Sequence, residues 1–378
     1  MHSRTLLIAL AAVAGLAGCK KKEKTEAGTA SGTGTASGTA ATPTPPKARP
    51  SQEPQPPMPA LELAEDPKRK EKIALGHALF FDKRLSGAND RACYSCHMNE
   101  DGNGGHDPIA IGSGDKKLTR HSPVIWNVGY WKSAYYWDGR AKTLEANVNG
   151  AWGGGNMGAA PGADTPEKTT AALDKKAAEI AKIAGYKPLF EAAFPKTPVK
   201  AEHINGAIAE YMRTLVCNGT KFDEYAGGKK DALSEQQQKG LDVFLGKGKC
   251  ITCHAPPFFS TAMPVDGGVY FNMGIGTKDV AEDQVDVGRM KVTNAETDWA
   301  AFKPPSLRNV TKSPPYFHDG SVAKLEEAVR LMASGGIPNK NKTPLAEDTK
   351  LTEEEIADLI AFLGALDCPG KLEEPKLP

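Results

Sequence analysis

The feature that most constrains this chain is a five-residue motif that occurs twice. Residues 93–97 read Cys-Tyr-Ser-Cys-His and residues 250–254 read Cys-Ile-Thr-Cys-His. Two thiols three positions apart reach the two vinyl groups of one haem, and the adjacent histidine reaches the iron from the same side. The sequence therefore predicts two covalently bound c-type haems. Their attachment residues are Cys93, Cys96, His97, Cys250, Cys253 and His254.

Each motif has two alternative interpretations, a thioredoxin-like redox pair and half of a zinc site. A redox pair does not require histidine after the second cysteine in both copies. A four-cysteine zinc site would leave both histidines without a role. Haem attachment of this kind takes place outside the bacterial cytoplasm, so the motifs also predict an oxidising compartment.

The N-terminus predicts the same compartment. Residues 1–4 carry a positive charge, and the apolar run 5–18 ends in Leu-Ala-Gly before Cys19. This run is shorter than the ~20 residues of a spanning helix and is typical of a secretory signal. It resembles the bacterial lipoprotein signal, in which the cysteine is lipidated; the alternative is an ordinary signal with an incidental cysteine. We expect a periplasmic protein anchored through Cys19, and Lys20 after the cysteine favours the outer membrane.

Helical patterns with few strand signals predict a mainly α fold of two cytochrome c-like domains, each with one c-type haem. Capping boxes at Ser234 and Thr352 start two of the helices. Further helical segments are expected at 73–81, 175–183 and 203–215. The parts in chain order are a signal peptide (1–19), a disordered Thr/Gly/Ala/Pro-rich tether (20–59), an N-terminal haem domain (60–226), a C-terminal haem domain (232–368) and a solvated tail (369–378).

The charge of the chain argues against nucleic acid as a partner. Its 47 Lys and Arg residues balance 46 Asp and Glu residues, for a net charge of +1. No long apolar run follows residue 18, so we expect membrane contact only through the N-terminal lipid anchor.

Ordered motifs around the two haem sites resemble one protein family. They read L-G-x-x-L-F-F-D-x-R-L-S at 75–86, S-P-V-I-W-N at 122–127, Y-W-D-G-R at 136–140, L-R-N-V at 307–310 and P-Y-F-H-D-G at 315–320. Over about 75–366 the chain resembles the bacterial di-haem cytochrome c peroxidases and their relative MauG, the di-haem oxidase of methylamine utilisation.

The resemblance implies a division of labour between the haems. The C-terminal haem would accept electrons, the N-terminal haem would react with peroxide, and Trp137 would bridge them, whereas an arbitrary buried tryptophan is core filler. Met332 follows His318 at the spacing at which the peroxidases carry the second ligand of the C-terminal haem. MauG has tyrosine there, so this half is similar to the peroxidases. A thioether ligand raises the haem potential.

The N-terminal half departs from the peroxidase pattern at the sixth iron ligand. The family's distal histidine follows the haem histidine at a fixed spacing, and this chain has Ser113 at that position. Serine does not ligate haem iron stably, so we expect an open site. His106 and His121 are candidate substitutes, and turn or hydrogen-bonding histidines are the alternative.

The catalytic acid–base residue is the second departure. The family supplies a glutamine and a glutamate after the tryptophan motif, and this chain places Asn147 and Asn156 there. No carboxylate lies between Glu145 and Asp164, and an amide does not accept the proton. Asn147, Asn156 and His121 are therefore weak candidates, and the sequence assigns no acid–base residue.

Two further features remain open at this stage. The family's calcium site maps to His121, Ser313 and Pro315, and the nitrogen of His121 suits calcium poorly. Cys217 and Cys368 form either a disulfide or two buried thiols.

We expect a peroxidase that reduces hydrogen peroxide to water with electrons from a small cytochrome c or copper protein. The alternatives are a MauG-like oxidase that modifies a partner protein and a di-haem electron-transfer protein without catalysis. A homodimer is compatible with all three.

Overall fold

The computed structural model describes residues 49–378, so the predicted signal peptide, Cys19 and the first part of the tether lie outside the described residues. Within this range the chain is helical and has isolated β-bridges instead of strands, which confirms the mainly α prediction. The ten α-helices of residues 49–378 are α1 (Arg69–Phe81), α2 (Leu144–Gly153), α3 (Pro166–Ala181), α4 (Tyr186–Ala193), α5 (Ala201–Arg213), α6 (Lys221–Ala226), α7 (Glu235–Leu245), α8 (Met290–Thr293), α9 (Leu325–Ala333) and α10 (Glu353–Leu363). No helix of the described part is both long enough and apolar enough to span a bilayer.

The helices enclose two apolar cores. The first core contains Phe80, Trp152 and Ile204, and its buried residues run from Leu75 to Cys217 before they resume at Cys368 and Leu372. The second core is built around a cluster of phenylalanines and lies between Phe222 and Leu366. These phenylalanines are Phe222, Phe244, Phe259 and Phe362. Two cores agree with two haem domains, whose exact limits stay a prediction.

A close helix crossing holds each core together. Helix α1 packs on α5, and α7 packs on α10. A Cβ atom on Gly76 would lie 1.9 Å from the Ala207 carbonyl oxygen, and one on Gly240 would lie 2.0 Å from the Asp358 carbonyl oxygen. Only glycine allows backbones to approach this closely.

Both predicted capping boxes are present at the second crossing. The Ser234 hydroxyl accepts the Gln237 N–H at 3.2 Å at the start of α7. Likewise, the Thr352 hydroxyl accepts the Glu355 N–H at 3.2 Å at the start of α10. Each box satisfies backbone donors that the first helical turn leaves unpaired.

The end of the predicted tether is ordered, which corrects the expected disorder up to residue 59. Ser51 is fully buried, and its N–H donates to Asp242 Oδ1 at 2.7 Å. The Tyr225 hydroxyl donates to the Ser51 carbonyl oxygen at 2.7 Å. These contacts use backbone atoms of residue 51, which composition does not reveal, and they fasten the segment to the second core.

The C-terminal tail is also docked, contrary to the expected solvated end. Asn99 forms two hydrogen bonds with the backbone of Leu372, at 2.8 and 2.9 Å. Leu372 is buried in the first core, and Arg84 donates to the Pro378 carbonyl oxygen at 2.9 Å. Leu372 is flanked by Lys and Glu residues, so the sequence does not indicate that this single leucine is buried. The two ends of the described chain therefore fasten to opposite cores.

Cys217 and Cys368 form a disulfide, which decides the alternative that the sequence left open. An asparagine holds each cysteine in the same way. Asn127 Oδ1 accepts the Cys217 N–H at 2.7 Å, and Asn309 Oδ1 accepts the Cys368 N–H at 3.0 Å. Both asparagines adopt positive φ angles, 62° and 69°.

Candidate functional site

The second Cys-x-x-Cys-His motif borders a cavity of about 270 Å³. Cys250, Cys253 and His254 line one part of it, and Met332 of α9 lines another. His254 Nδ1 lies 3.0 Å from the Phe259 carbonyl oxygen and 3.1 Å from that of Pro305. These contacts assign the proton to Nδ1 and leave Nε2 for a metal. Desolvation lowers the pKa of His254, so the imidazole is neutral at pH 7.

The first motif borders a larger cavity of about 470 Å³, which His97 lines. His97 Nδ1 lies 3.3 Å from the Asn103 carbonyl oxygen, which again leaves Nε2 for a metal. Desolvation lowers the pKa of His97 to about 4, which keeps this imidazole neutral. The four motif cysteines are free thiols rather than disulfides. We name the two spaces the His97 cavity and the His254 cavity.

A repeated turn precedes one helix beside each cavity. Tyr135 pairs with Ala141, and Tyr316 pairs with Val322, in matching antiparallel bridges. The second residues of the two turns, Tyr136 and Phe317, have positive φ angles of 66° and 73°. Helices α2 and α9 begin at the same spacing after these positions. The two halves of the protein therefore repeat one structural unit, which extends the repetition already visible in the two Cys-x-x-Cys-His motifs.

The repeat identifies the counterpart of Met332. Met332 on α9 follows Phe317 at the same spacing at which Ala151 on α2 follows Tyr136. Ala151 lines the His97 cavity as Met332 lines the His254 cavity. A methyl side chain is not a metal ligand, so α2 leaves this face of the His97 cavity open. Ligation by Met332 itself stays a prediction.

Trp137 lines both cavities, and its role as an electron bridge stays a prediction. Its indole Nε1 donates to the His121 carbonyl oxygen at 2.8 Å, and its carbonyl oxygen accepts the Lys303 N–H at 3.0 Å. The ring of His318, its counterpart in the repeat, meets the indole edge-on with centroids 6.4 Å apart. The His121 N–H donates to the His318 carbonyl oxygen at 2.7 Å. Hydrogen bonds at its indole and at its carbonyl therefore fix Trp137 at the wall between the cavities.

The structure separates the two histidines proposed as substitute ligands. His121 is buried and lines the His97 cavity, and its Nδ1 lies 2.9 Å from the Asp107 carbonyl oxygen. His106 lies outside that cavity with a side chain that is 72% exposed. His106 as an iron ligand is therefore wrong in this structure. Ser113 is also not part of the lining of the His97 cavity. Its hydroxyl donates to Asp90 Oδ1 at 2.6 Å.

The remaining predicted residues converge on the His97 cavity, where Asn147, Asn156, Ser313 and Pro315 are part of the lining. Among its described lining residues there is no aspartate or glutamate, and the lack of a catalytic carboxylate stays a prediction. The same lining carries five cations, most of which sequence reasoning missed. They are Lys116, Lys117, Arg120, Arg140 and Lys303.

These cavities suit a haem at each motif. A haem has a flat apolar ring, two vinyl groups and two carboxylates, and it needs a neutral imidazole on iron. Each cavity offers such an imidazole. The free thiols of Cys250 and Cys253 line the His254 cavity, which is mainly apolar, whereas Cys93 and Cys96 precede His97 in the chain and are not part of the His97 lining. Those cations of the His97 lining that solvent does not screen would provide partners for the carboxylates.

Comparisons with known proteins agree with these features. The profile of the family described as di-haem cytochrome c peroxidase matches residues 70–231. Methylamine utilization protein MauG of Methylorubrum extorquens is 32% identical over 315 residues, which cover 83% of each chain. Cytochrome c551 peroxidase of Pseudomonas aeruginosa is 32% identical over 329 residues, which cover 85% of this chain and 86% of that one.

A solved structure extends the similarity to the fold. A MauG-like protein associated with microbial copper homeostasis superposes with a TM-score of 0.71 at 29% identity, over 86% of this chain and 96% of that one. Membership of this family implies two haems. The chain belongs to the bacterial family of di-haem cytochrome c peroxidases and MauG.

Proposed function

We propose that this protein reduces hydrogen peroxide at a c-type haem bound by His97 and receives electrons at a c-type haem bound by His254 and Met332. The observation that carries the proposal is the pair of equivalent helix positions. Met332 offers a second ligand in the His254 cavity, and Ala151 leaves the His97 cavity open. An iron with two protein ligands transfers electrons, and one with a free position binds peroxide.

Each haem supplies reversible one-electron chemistry at iron, and the chain controls where that chemistry takes place. Neutral His97 and His254 are held by backbone carbonyls that accept from Nδ1, which fixes each ring and increases its basicity. Trp137 is packed between the cavities and held by hydrogen bonds at both its indole and its carbonyl. We assign it the transfer of electrons from the His254 side to the His97 side.

The proton transfers of peroxide reduction require groups other than a carboxylate. The amides of Asn147 and Asn156 donate and accept hydrogen bonds and can orient peroxide, but they do not take up its proton. Burial lowers the pKa of His121, so this imidazole is a neutral base at pH 7. We therefore assign the proton acceptor to His121 Nε2, because Nδ1 lies against the Asp107 carbonyl.

A MauG-like oxidase that modifies a partner protein is the second candidate. The open face at Ala151 is compatible with it. The identity of 32% to MauG of Methylorubrum extorquens equals the identity to the Pseudomonas aeruginosa peroxidase, so it does not separate the two candidates. Met332 argues against it, because MauG carries tyrosine at that position. The third candidate, a di-haem electron carrier, is favoured by the carboxylate-free His97 cavity.

The location and the partners are proposed from the sequence and the family resemblance. We propose a periplasmic lipoprotein anchored through Cys19, which accepts electrons from a small cytochrome c or copper protein. A calcium ion at Ser313 and Pro315 is part of the proposal because both residues line one cavity. A homodimer is proposed on the family resemblance alone.

Electron paramagnetic resonance of the oxidised holoprotein tests the proposal. We expect one low-spin haem and one high-spin haem, and stoichiometric peroxide should remove only the high-spin signal. A reduced small cytochrome c should then sustain peroxide turnover. Turnover without a small donor but with covalent change in a partner protein would favour the oxidase. Two low-spin haems that stay inert to peroxide, before and after one-electron reduction, would leave only the electron carrier.

A further inference from the structure

Lys303 is a buried lysine in the wall between the two cavities. The residue is 7% exposed and lines both cavities. Its N–H donates to the Trp137 carbonyl oxygen at 3.0 Å. Two residues later, the Pro305 carbonyl oxygen lies 3.1 Å from His254 Nδ1. The short segment from Lys303 to Pro305 therefore connects the bridging tryptophan with a haem-binding histidine.

Within the described part of the chain, the Lys303 ammonium has no anionic partner. No carboxylate of residues 49–378 forms an ion pair with it, and the carboxylate whose charge acts on it is Asp138. The oxygens of Asp138 already accept from Arg120 at 2.7 Å and from Arg140 at 3.0 Å. Desolvation lowers the pKa of Lys303 to about 7. Burial of an unpaired ammonium is unfavourable, so this site is built for an anion that the chain does not provide.

The position of Nζ indicates which cavity the charge faces. Nζ lies 3.5 Å from the centre of the Trp131 ring. Trp131 lines the His97 cavity and is not part of the His254 lining. The ammonium therefore lies on the His97 side of the wall.

The other cations of this lining differ from Lys303 in exposure or pairing. Arg120 forms ion pairs with Asp138 and with Asp286. Lys116 and Lys117 are exposed to solvent, which screens their charge. Lys303 is the buried member of the described set without a carboxylate partner.

We infer that Lys303 is the counter-ion of a haem carboxylate in the His97 cavity and that its charge raises the reduction potential of that haem. The inference rests on the proposed binding of a haem at His97. Reduction adds an electron to the haem, and a nearby positive charge in a medium of low dielectric constant stabilises the reduced form. Lys303 is in this sense a positioning residue, since it acts through the haem carboxylate and not on peroxide.

The test is a potentiometric titration of the holoprotein with Lys303→Met, followed by visible absorption and paramagnetic resonance. We expect the equilibrium of the His97 haem to shift about tenfold or more toward the ferric form, which is 59 mV for one electron. The His254 haem should shift less. Lys303→Arg retains the charge and should restore the potential. Lys117→Met removes an exposed charge from the same cavity and should change the equilibrium less than about threefold.

Haem content separates the failure of this inference from the failure of the proposed function. A wild-type protein without two covalent haems contradicts the proposed function before any titration. A Lys303→Met or Lys303→Gln protein with two haems and an unchanged His97 potential overturns the inference, whatever its peroxide turnover. If both neutral variants lose the His97 haem while Lys303→Arg retains it, the haem content itself shows that a positive charge at position 303 pairs with the haem, and this outcome supports the inference without a measured potential.

Discussion

The two halves of the protein share three parts, and their cavities differ at one equivalent helix position and in the charge of their linings. Each half has a Cys-x-x-Cys-His motif, a glycine-mediated helix crossing and a turn that leads into a short helix. The short helix carries Met332 on one side and Ala151 on the other, and the cavities measure about 270 and 470 Å³. A duplicated scaffold can thus offer a thioether to one cavity and only a methyl group to the other through the choice of one side chain.

The contact between the two halves is symmetric in its backbone and asymmetric in its side chains. His121 and Lys303 each donate a backbone N–H to the turn of the other half, at His318 and Trp137 respectively. The backbone bonds fix a common geometry for both halves. The side chains differ at these equivalent positions. The donors His121 and Lys303 carry an imidazole and an ammonium, and the acceptors His318 and Trp137 carry an imidazole and an indole. The chemistry at the wall is therefore free to differ while its position stays fixed.

The largest expected effect concerns an ion pair that the second half has and the first half lacks. Arg308 is fully buried and forms two hydrogen bonds with Asp223, at 2.7 and 2.8 Å. Arg308 precedes Asn309 in the second half, and the residue that precedes Asn127 in the first half is the uncharged Trp126. Asp223→Asn leaves the Arg308 charge unpaired, so we expect a loss of about 3–5 kcal/mol in the free energy of unfolding. Glu224→Gln, at an exposed neighbour, should cost less than about 0.5 kcal/mol.

The effect of Asp223→Asn depends on pH in a defined direction. Burial alone raises the pKa of Asp223, but the hydrogen bonds and charge of Arg308 outweigh it and place the pKa below 3.8. Stability from a depressed carboxylate pKa is present above the unfolded value and is lost as the pH falls through the folded value. Denaturant unfolding from pH 7 to pH 3 should therefore show the difference between variant and wild type shrinking below about pH 4. A constant difference would contradict the ion-pair explanation.

Ala151→Met tests whether the helix position decides between an open and a closed site. A methionine there should ligate the His97 iron and leave about 1% of the molecules open, which lowers the rate of the peroxide reaction about 100-fold. Stopped-flow mixing with peroxide measures the rate, and the resonance spectrum should change from high-spin to low-spin. Ala151→Leu has a similar volume without sulfur and is the control for blockage. An equal loss of rate in Ala151→Leu, with a high-spin spectrum in both variants, would argue against ligation.

The sequence predicted the cofactor chemistry better than the architecture around it. Cys-x-x-Cys-His carries its mechanism in five adjacent residues, and capping boxes such as the one at Ser234 are equally local. The docking of Ser51 and Leu372 depends on contacts with distant residues, through Asp242 and Asn99. The polar and charged composition of both segments predicted solvated ends, because one buried residue hardly changes the average hydrophobicity of a segment.

The details of the repeat and the position of Lys303 were missed for different reasons. The two turns share the pattern Tyr-x-x-Asp-Gly, at 135–139 and 316–320, so the match was present in the sequence, and the positive φ angles of Tyr136 and Phe317 show that the backbone repeats as well. Lys303 is one lysine among many in the sequence, and only its burial and missing partner distinguish it. Sequence reasoning detects residues that act with their neighbours and overlooks those that act across the fold.

Met332→Ala should make the second half resemble the first. Loss of the thioether ligand lowers the potential of the His254 haem, and we expect its reduction equilibrium to shift at least about tenfold toward the ferric form. Potentiometric titration measures the shift, and a new high-spin signal should accompany it. Met290→Ala lies outside both cavities and should leave both potentials unchanged. A low-spin His254 haem with its wild-type potential in Met332→Ala would show that another residue is the ligand.

The smallest expected effect compares the two docked ends. Asn99 holds the tail through Leu372 beside the first motif, and Asp242 holds Ser51 at the second core. Asn99→Ala and Asp242→Ala each remove a hydrogen-bonding partner, which costs about 1–2 kcal/mol. Hydrogen exchange distinguishes the two variants better than the total loss of stability, because it shows which amides become exposed. Asn99→Ala should expose amides near His97, and Asp242→Ala should expose those near the start of the described chain, because each end is bound to a different core. If either variant loosened both regions equally, the two halves would unfold as one cooperative unit despite their separate cores.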